Sequence, residues 1–185
     1  KRQVVSVGHL AELVMSFFGD GSKYGVKITY AKEDAPLGTA GPLAFVDGLD
    51  ETFILMNGDI LVYIDFKDIM SFHKSKGAEV TVATVDRNMK VDYGVVKTSG
   101  DTIVGWEEKP TIHYKVSSGI YVIEPSVLSS IPRGERLDFP DLVRKLINEK
   151  RNVASYPLKG YWLDIGRPED YEIACRDYAD RNGEG

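Results

Sequence analysis

A single cysteine, Cys175, stands among 185 residues. One thiol builds neither an internal disulfide framework nor a cysteine-based zinc cluster. That usage fits a reducing cytosol, and a cytoplasmic location is the expectation. Histidine is also scarce: His9, His73 and His113 are widely scattered, and no Ser/His/Asp or Cys/His order suggests covalent catalysis. The apolar run from Leu13 to Phe18 is too short to span a bilayer, and no small-residue cleavage site follows it. Positive charge is in deficit, with 23 Lys plus Arg against 28 Asp plus Glu and a formal net charge of −5. Such a chain lacks the basic face that nucleic acid or anionic lipid requires, so neither partner is expected.

What remains is an ordinary globular composition, 43% hydrophobic and 28% charged. At this length folding removes roughly 70% of the unfolded chain's surface from water, enough for a core without staples. The sequence does not set an oligomeric state, and a homo-oligomer is compatible with it.

Apolar runs and turn signals alternate along the chain. Val4 to Val7 reads as a parallel strand. Leu10, Leu13, Val14, Phe17 and Phe18 recur at helical spacing before Gly19 and Gly21. Val26 to Tyr30 and Thr52 to Met56 read as further strands, the second stopped by Asn57-Gly58-Asp59. A short helix is expected around Pro42 to Val46. Asp65 can cap a helix with Phe66, Ile69, Met70 and His73 on its apolar face, His73 being a core or boundary residue. After a strand at Glu79 to Val85, Tyr93 to Thr98 and Thr102 to Glu107 flank the hairpin signal Ser99-Gly100-Asp101. Strand, helix, helix, strand and helix follow at Val116 to Ile123, Pro125 to Ile131, Asp138 to Asn148, Val153 to Pro157 and Pro168 to Tyr178. The pattern predicts an α/β fold, a mostly parallel sheet with an antiparallel hairpin insertion, in one domain over residues 1–185.

In open α/β sheets ligands bind beyond the carboxyl ends of strands. Three loops stand there. Glu33 to Gly41 carries two glycines and a proline that let backbone N–H groups approach a ring or a phosphate, although an ordinary strand-to-helix turn has the same composition. Asp59, beside flexible Gly58, is placed to ligate a hard cation such as Mg²⁺, or else to form a turn. Asp164 is a lone acid in the apolar stretch Tyr161 to Gly166, where burial would demand a partner or a metal. Glu107-Glu108-Lys109-Pro110 ends the hairpin; period-2 geometry sends Glu108 and Lys109 to opposite faces unless the strand bulges, and a solvated charge run is the plainer account.

Seven segments in order resemble the sugar-phosphate nucleotidyltransferases. They are Gly19 to Val26, Pro36 to Gly41, Asn57-Gly58-Asp59, Asp92-Tyr93-Gly94, Glu108-Lys109-Pro110, Ser118-Gly119-Ile120-Tyr121 and Trp162 to Tyr171. The resemblance implies a Rossmann-like sheet of the GT-A type and transfer of a nucleotidyl group from an NTP to a sugar 1-phosphate, with release of pyrophosphate. It implies Mg²⁺ held by Asp59 and Asp164, and a nucleotide-binding set of Glu33, Leu37, Gly38, Thr39 and Gly58. It further implies sugar-phosphate contacts from Tyr93, Gly94, Glu108, Lys109 and Ser117, with Lys109 and Asp59 carrying the catalytic work. The proline-leucine-glycine-threonine loop favours GTP.

Two departures from the family pattern qualify this. The Gly-rich, Arg-containing triphosphate loop that opens the family is not in the sequence, which starts at what resembles a later strand. The expectation is a domain truncated at its N-terminus, with that part of the sheet missing, the strands at Val4–Val7 and Phe53–Met56 left with unpaired edges, and no turnover by these 185 residues alone. Second, Ser117 stands where many relatives carry Asn, a shorter reach toward a sugar. A non-catalytic fragment or a regulatory relative that binds nucleotide sugar without turnover is the alternative. A GT-A glycosyltransferase is disfavoured because Asp59 is followed by Ile60 and Leu61, not by a second metal-binding Asp.

Overall fold

A computed structural model describes residues 2–33 and 35–182. Lys1, Asp34 and residues 183–185, which the strand start, the first loop and the tail included, lie outside them. The strands are β1 (Arg2–Val7), β2 (Lys27–Lys32), β3 (Phe53–Met56), β4 (Ile60–Val62), β5 (Val80–Lys90), β6 (Val95–Ser99), β7 (Thr102–Glu107), β8 (Thr111–Ile123), β9 (Val153–Pro157) and β10 (Trp162–Asp164). The helices are α1 (Ala11–Phe18), α2 (Phe66–Lys76), α3 (Phe139–Asn148) and α4 (Pro168–Asn182).

The α/β class is as expected, and the sheets are mixed. β1 and β2 pair in parallel across the α1 crossover, Arg2 opposite Lys27 through Val7 opposite Lys32. A four-stranded sheet has the order β3-β8-β5-β9. Side-chain pairs Asp86–Lys115 and Asn88–His113 run in opposite senses along β5 and β8, the mark of antiparallel strands. β4 with β10, and β6 with β7, form antiparallel two-stranded ladders. Among the described strands β1 pairs with β2 alone, and β3 ends its sheet. The stretches at Pro42 and Pro125 are 3₁₀ turns, Gly41–Phe45 and Pro125–Ser130, each with proline in its first turn.

Packing divides the chain into two compact units. The first comprises residues 2–54, 73–80 and 122–154. Its core gathers Val7, Ile28, Leu43, Val80, Val122, Val127 and the inward face of α3, Phe139, Leu142 and Leu146. His73 is 1% exposed, as its position on an apolar helix face predicts, and its Nε2 lies 3.0 Å from Glu124 Oε1, which also accepts from the Thr52 hydroxyl at 2.8 Å. The helical spacing of α1 misleads in one respect. Ala11 is buried, but Leu10, Leu13 and Phe17 are more than half exposed, because no described element covers the apolar stripe. The second unit comprises residues 55–72, 81–121 and 155–182 and buries Ile69, Ala83, Ile120, Tyr121 and Ala174. There the phenol of Tyr156 donates to Asp68, and burial first, then that bond, pushes its pKa up to about 12.

Glu79 receives both Arg151 Nε, at 2.9 Å, and Arg151 Nη2, while Arg151 Nη1 reaches the Ser130 hydroxyl at 2.7 Å. The fork is mostly shielded from water. Hydrogen bonding by Arg151 holds the Glu79 carboxyl below its ordinary value of 4.5. A carboxyl so depressed contributes stability above its ordinary pKa and loses that contribution as pH falls through the lowered one. Glu79→Gln should therefore cost about 1–3 kcal/mol near neutral pH. Denaturant midpoints should show that cost shrinking in acid; a difference independent of pH would mean that the charge on Glu79 contributes nothing.

Candidate functional site

Of the expected nucleotide residues, Glu33, Leu37, Gly38 and Thr39 lie in the first unit, and Gly58 lies in the second with the expected metal and sugar residues. Glu33 follows β2 directly. Its Oε1 accepts from the Ser6 hydroxyl at 2.8 Å and its Oε2 from the Leu37 N–H at 3.1 Å, so the carboxylate shapes the loop that it opens. Beside it is a pocket of about 210 Å³, lined by Ala31, Lys32, Glu33, Ala35, Leu37, Pro42 and Phe45. The Glu33 carboxylate beside the apolar side chains of Ala31, Ala35, Leu37, Pro42 and Phe45 suits a flat ring that offers N–H donors, with Lys32 also in the lining.

The loop is clamped against the entry to α3. Ala40 and Gly41 N–H groups donate to the Leu137 carbonyl at 2.9 and 3.1 Å, and Leu137 N–H returns to the Leu37 carbonyl at 2.9 Å. Thr39 N–H donates to Asp138 Oδ1 at 3.2 Å, and the Thr39 hydroxyl accepts from Phe139 N–H at 2.7 Å. The cap of α3 comes from Thr39, while the carboxylate of Asp138, the residue before the helix, holds the loop. Gly38 has φ +79°, and a Cβ there would lie 2.6 Å from both Asp138 Oδ1 and the Leu137 carbonyl oxygen. Only glycine meets both demands.

In the second unit Asp59 leads into β4 and Asp164 ends β10, with Asp164 opposite Ile60 in the ladder. The Ile165 N–H donates to the Asp59 carbonyl at 2.8 Å, which closes the ladder beyond its last pair. A Cβ placed on Gly166 would lie 3.1 Å from Asp164 Oδ1 and 3.7 Å from Asp59 Oδ2, so both carboxylates flank one spot. Asp164 is exposed. Its expected burial is corrected: β10 is only three residues long, and its last side chain reaches solvent at the strand end. The strand β4 was itself missed, because three residues after Asn57-Gly58-Asp59 give no periodicity to read. Among the described residues no group of three or more His, Cys, Asp or Glu converges. Two exposed carboxylates fit Mg²⁺, which keeps several waters and substrate oxygens and is commonly held by one or two acids.

The hairpin carries the expected sugar residues. β6 and β7 pair from Val95 opposite Glu107 to Ser99 opposite Thr102, with a register shift between Lys97 and Thr98. Glu107 turns to the face of Lys97 and meets its ammonium at 2.6 Å. Glu108 turns to the other face, where its Oε2 lies 2.9 Å from the point a Gly94 Cβ would occupy. Glu108 and Gly94 are thus neighbours across the hairpin. Lys109 sits just past β7 with φ +46°, so a left-handed turn, in place of a strand bulge, ends the alternation between Glu108 and Lys109. Tyr93 is 80% exposed. The Ser117 hydroxyl lies 3.0 Å from the Tyr121 hydroxyl and accepts from Gly119 N–H at 3.3 Å, so it is already part of the strand's own network.

Gly38→Ala should destabilise the protein by about 1–3 kcal/mol, since the added methyl meets backbone and strains a left-handed residue. Thr39→Val should cost about 1 kcal/mol through loss of the α3 cap. Chemical denaturation measures both; an unshifted midpoint for Gly38→Ala would show that the loop is not held by residues 137–139.

A family model described as "Nucleotidyl transferase" matches residues 1–181. A mannose-1-phosphate guanylyltransferase 1 of Arabidopsis thaliana is 34% identical over 191 residues, covering 96% of this chain and 52% of its own length. A UTP–glucose-1-phosphate uridylyltransferase of Synechocystis is 34% identical over 199 residues, covering 96% and 51%. The chain therefore spans about half the length of the curated relatives it matches. Among solved structures, HddC from Yersinia pseudotuberculosis superposes with a TM-score of 0.68 at 24% identity over 96% of this chain and 78% of that one, a likeness of fold. With the order of motifs, the α/β architecture and a match from end to end of the described residues, the chain belongs to the nucleotidyl transferase family of sugar-phosphate nucleotidyltransferases.

Proposed function

We propose that the protein makes a nucleoside diphosphate sugar by transferring a nucleotidyl group from an NTP, GTP by preference, to a sugar 1-phosphate. An oxygen of the sugar phosphate attacks the α-phosphorus in line, the bond between the α-phosphorus and its bridging oxygen breaks, and pyrophosphate leaves with that oxygen. Little covalent work falls to the protein; positioning and charge neutralisation carry the rate. The observation that carries this reading is the Asp59–Asp164 pair around Gly166, within a chain matched along its length by relatives named for such transfers. The guanylyl and uridylyl relatives are equally similar, and the preference for GTP rests on the Pro36-Leu37-Gly38-Thr39 loop.

The residues take the following parts. In the first unit Glu33 and the loop Leu37–Thr39 receive the base, and the clamp from Asp138 presets the loop's shape. In the second unit Asp59 and Asp164 hold Mg²⁺, with Gly58 leaving room for nucleotide phosphate. When bound, the ion supplies positive charge to phosphate oxygens that a chain of net charge −5 would otherwise repel. Tyr93, Gly94, Glu108 and Ser117 orient the sugar. Lys109, which has no ion pair among the described residues, neutralises the attacking phosphate.

In the protein expressed from its complete gene, Asp164→Asn should lower kcat by about 10²–10³-fold while leaving the unfolding midpoint close to wild type, because the amide keeps the shape and the Gly166 contact. Lys109→Glu should impair use of the sugar phosphate more than Glu108→Ala, since it sets a carboxylate against a phosphate. Pyrophosphate release from NTP plus sugar 1-phosphate is the assay. Glycoside formation from a nucleotide sugar, without pyrophosphate, would overturn the proposal.

A further inference from the structure

Of the two tryptophans, Trp106 was not singled out by any motif. It lies in β7 opposite Val96, and strand alternation sets it on the same face as Glu108. Its indole N–H donates to Glu108 Oε2 at 3.2 Å. Continuing the register past Val95 opposite Glu107 brings Gly94 across from Glu108. A Cβ on Gly94 would lie 2.7 Å from Trp106 Cζ2 and 2.9 Å from Glu108 Oε2. Glycine is thus needed at 94 because the indole and the carboxylate already occupy the space a side chain would take. The ring is otherwise open, with 61% of the residue exposed. An exposed indole of this size loses apolar burial, so hairpin stability alone gives it little reason to be there.

We propose that Trp106 is a positioning residue for the sugar contact. Its N–H fixes one carboxylate oxygen of Glu108 and its ring holds the Gly94 backbone at contact distance. The other oxygen, Oε1, has no hydrogen-bond partner among the described residues and is left to accept a hydroxyl of the sugar. A carboxylate held by one oxygen loses less conformational freedom on binding than a free one, so its bond to a hydroxyl is stronger and more directional. The inference rests on the reading of Glu108 as a sugar contact, and the test separates the two.

The measurement is KM for the sugar 1-phosphate, KM for the NTP and kcat, in the protein expressed from its complete gene, for Trp106→Phe, Glu108→Ala and the double variant. Trp106→Phe keeps an aromatic ring but loses the donor and the part of the fused ring beside Gly94. It should raise KM for the sugar 1-phosphate by about threefold to tenfold with kcat, the NTP KM and the unfolding midpoint within twofold or unshifted. Glu108→Ala should raise the same KM at least as far. The double variant should match Glu108→Ala alone, because Trp106 acts through that carboxylate. Additive effects, or no effect of Trp106→Phe beside a clear one of Glu108→Ala, overturn the role of Trp106 and leave Glu108 in place. A Glu108→Ala variant with unchanged sugar-phosphate KM overturns both.

Discussion

The second unit's acid pair depends on one short piece of backbone pairing. β4 and β10 form three residue pairs, and the bond from Ile165 N–H to the Asp59 carbonyl extends them by one step. Antiparallel pairing fixes which residues face each other, so the first residue of β4 sits opposite the last residue of β10. Two like charges placed side by side repel, and a fold does not bring them together without something to offset the repulsion. Here the ladder supplies the constraint, solvent exposure moderates the repulsion, and Gly166 leaves the space between the oxygens free of side chain.

A related device operates in the first unit, where a glycine-bearing loop and a helix start hold each other. Thr39 caps α3, and Asp138 at the head of α3 receives the loop's N–H. Neither partner satisfies its own local need. The exchange ties residues a hundred positions apart at the cost of two hydrogen bonds that each element could have made locally. It also explains how a loop rich in glycine keeps one shape.

The sequence made the periodic elements legible and left the exchanges between them obscure. α2 with Ile69 and His73 buried, the hairpin about Gly100, and α3 with Phe139, Leu142 and Leu146 buried all follow from spacing and turn chemistry, although Phe66, expected on the same face of α2, is exposed. β4 does not, since three residues carry no period. The exposure of Asp164 was hidden for the same reason, because an apolar neighbourhood in sequence does not reveal where a strand stops. The Asp138–Thr39 exchange and the Trp106–Glu108–Gly94 contact are tertiary facts with no local signature, although the second is readable in retrospect from strand register. Asp59, Asp164, Glu108 and Lys109 stood out by their positions at strand ends, the resemblance gave them roles, and the geometry adds how they are held.

Lys109 sets backbone and side chain at odds. A left-handed φ of +46° is easy for glycine or asparagine and costs a lysine about 1 kcal/mol. A chain shaped for durability alone would change that residue. Evolution toward greater thermal stability, or an engineer's consensus substitution, would meet its first conflict at this position: the replacement that relaxes the turn also discards the ammonium at the end of the hairpin. Durability gained elsewhere in the fold leaves that ammonium in place, whereas durability gained at residue 109 removes it.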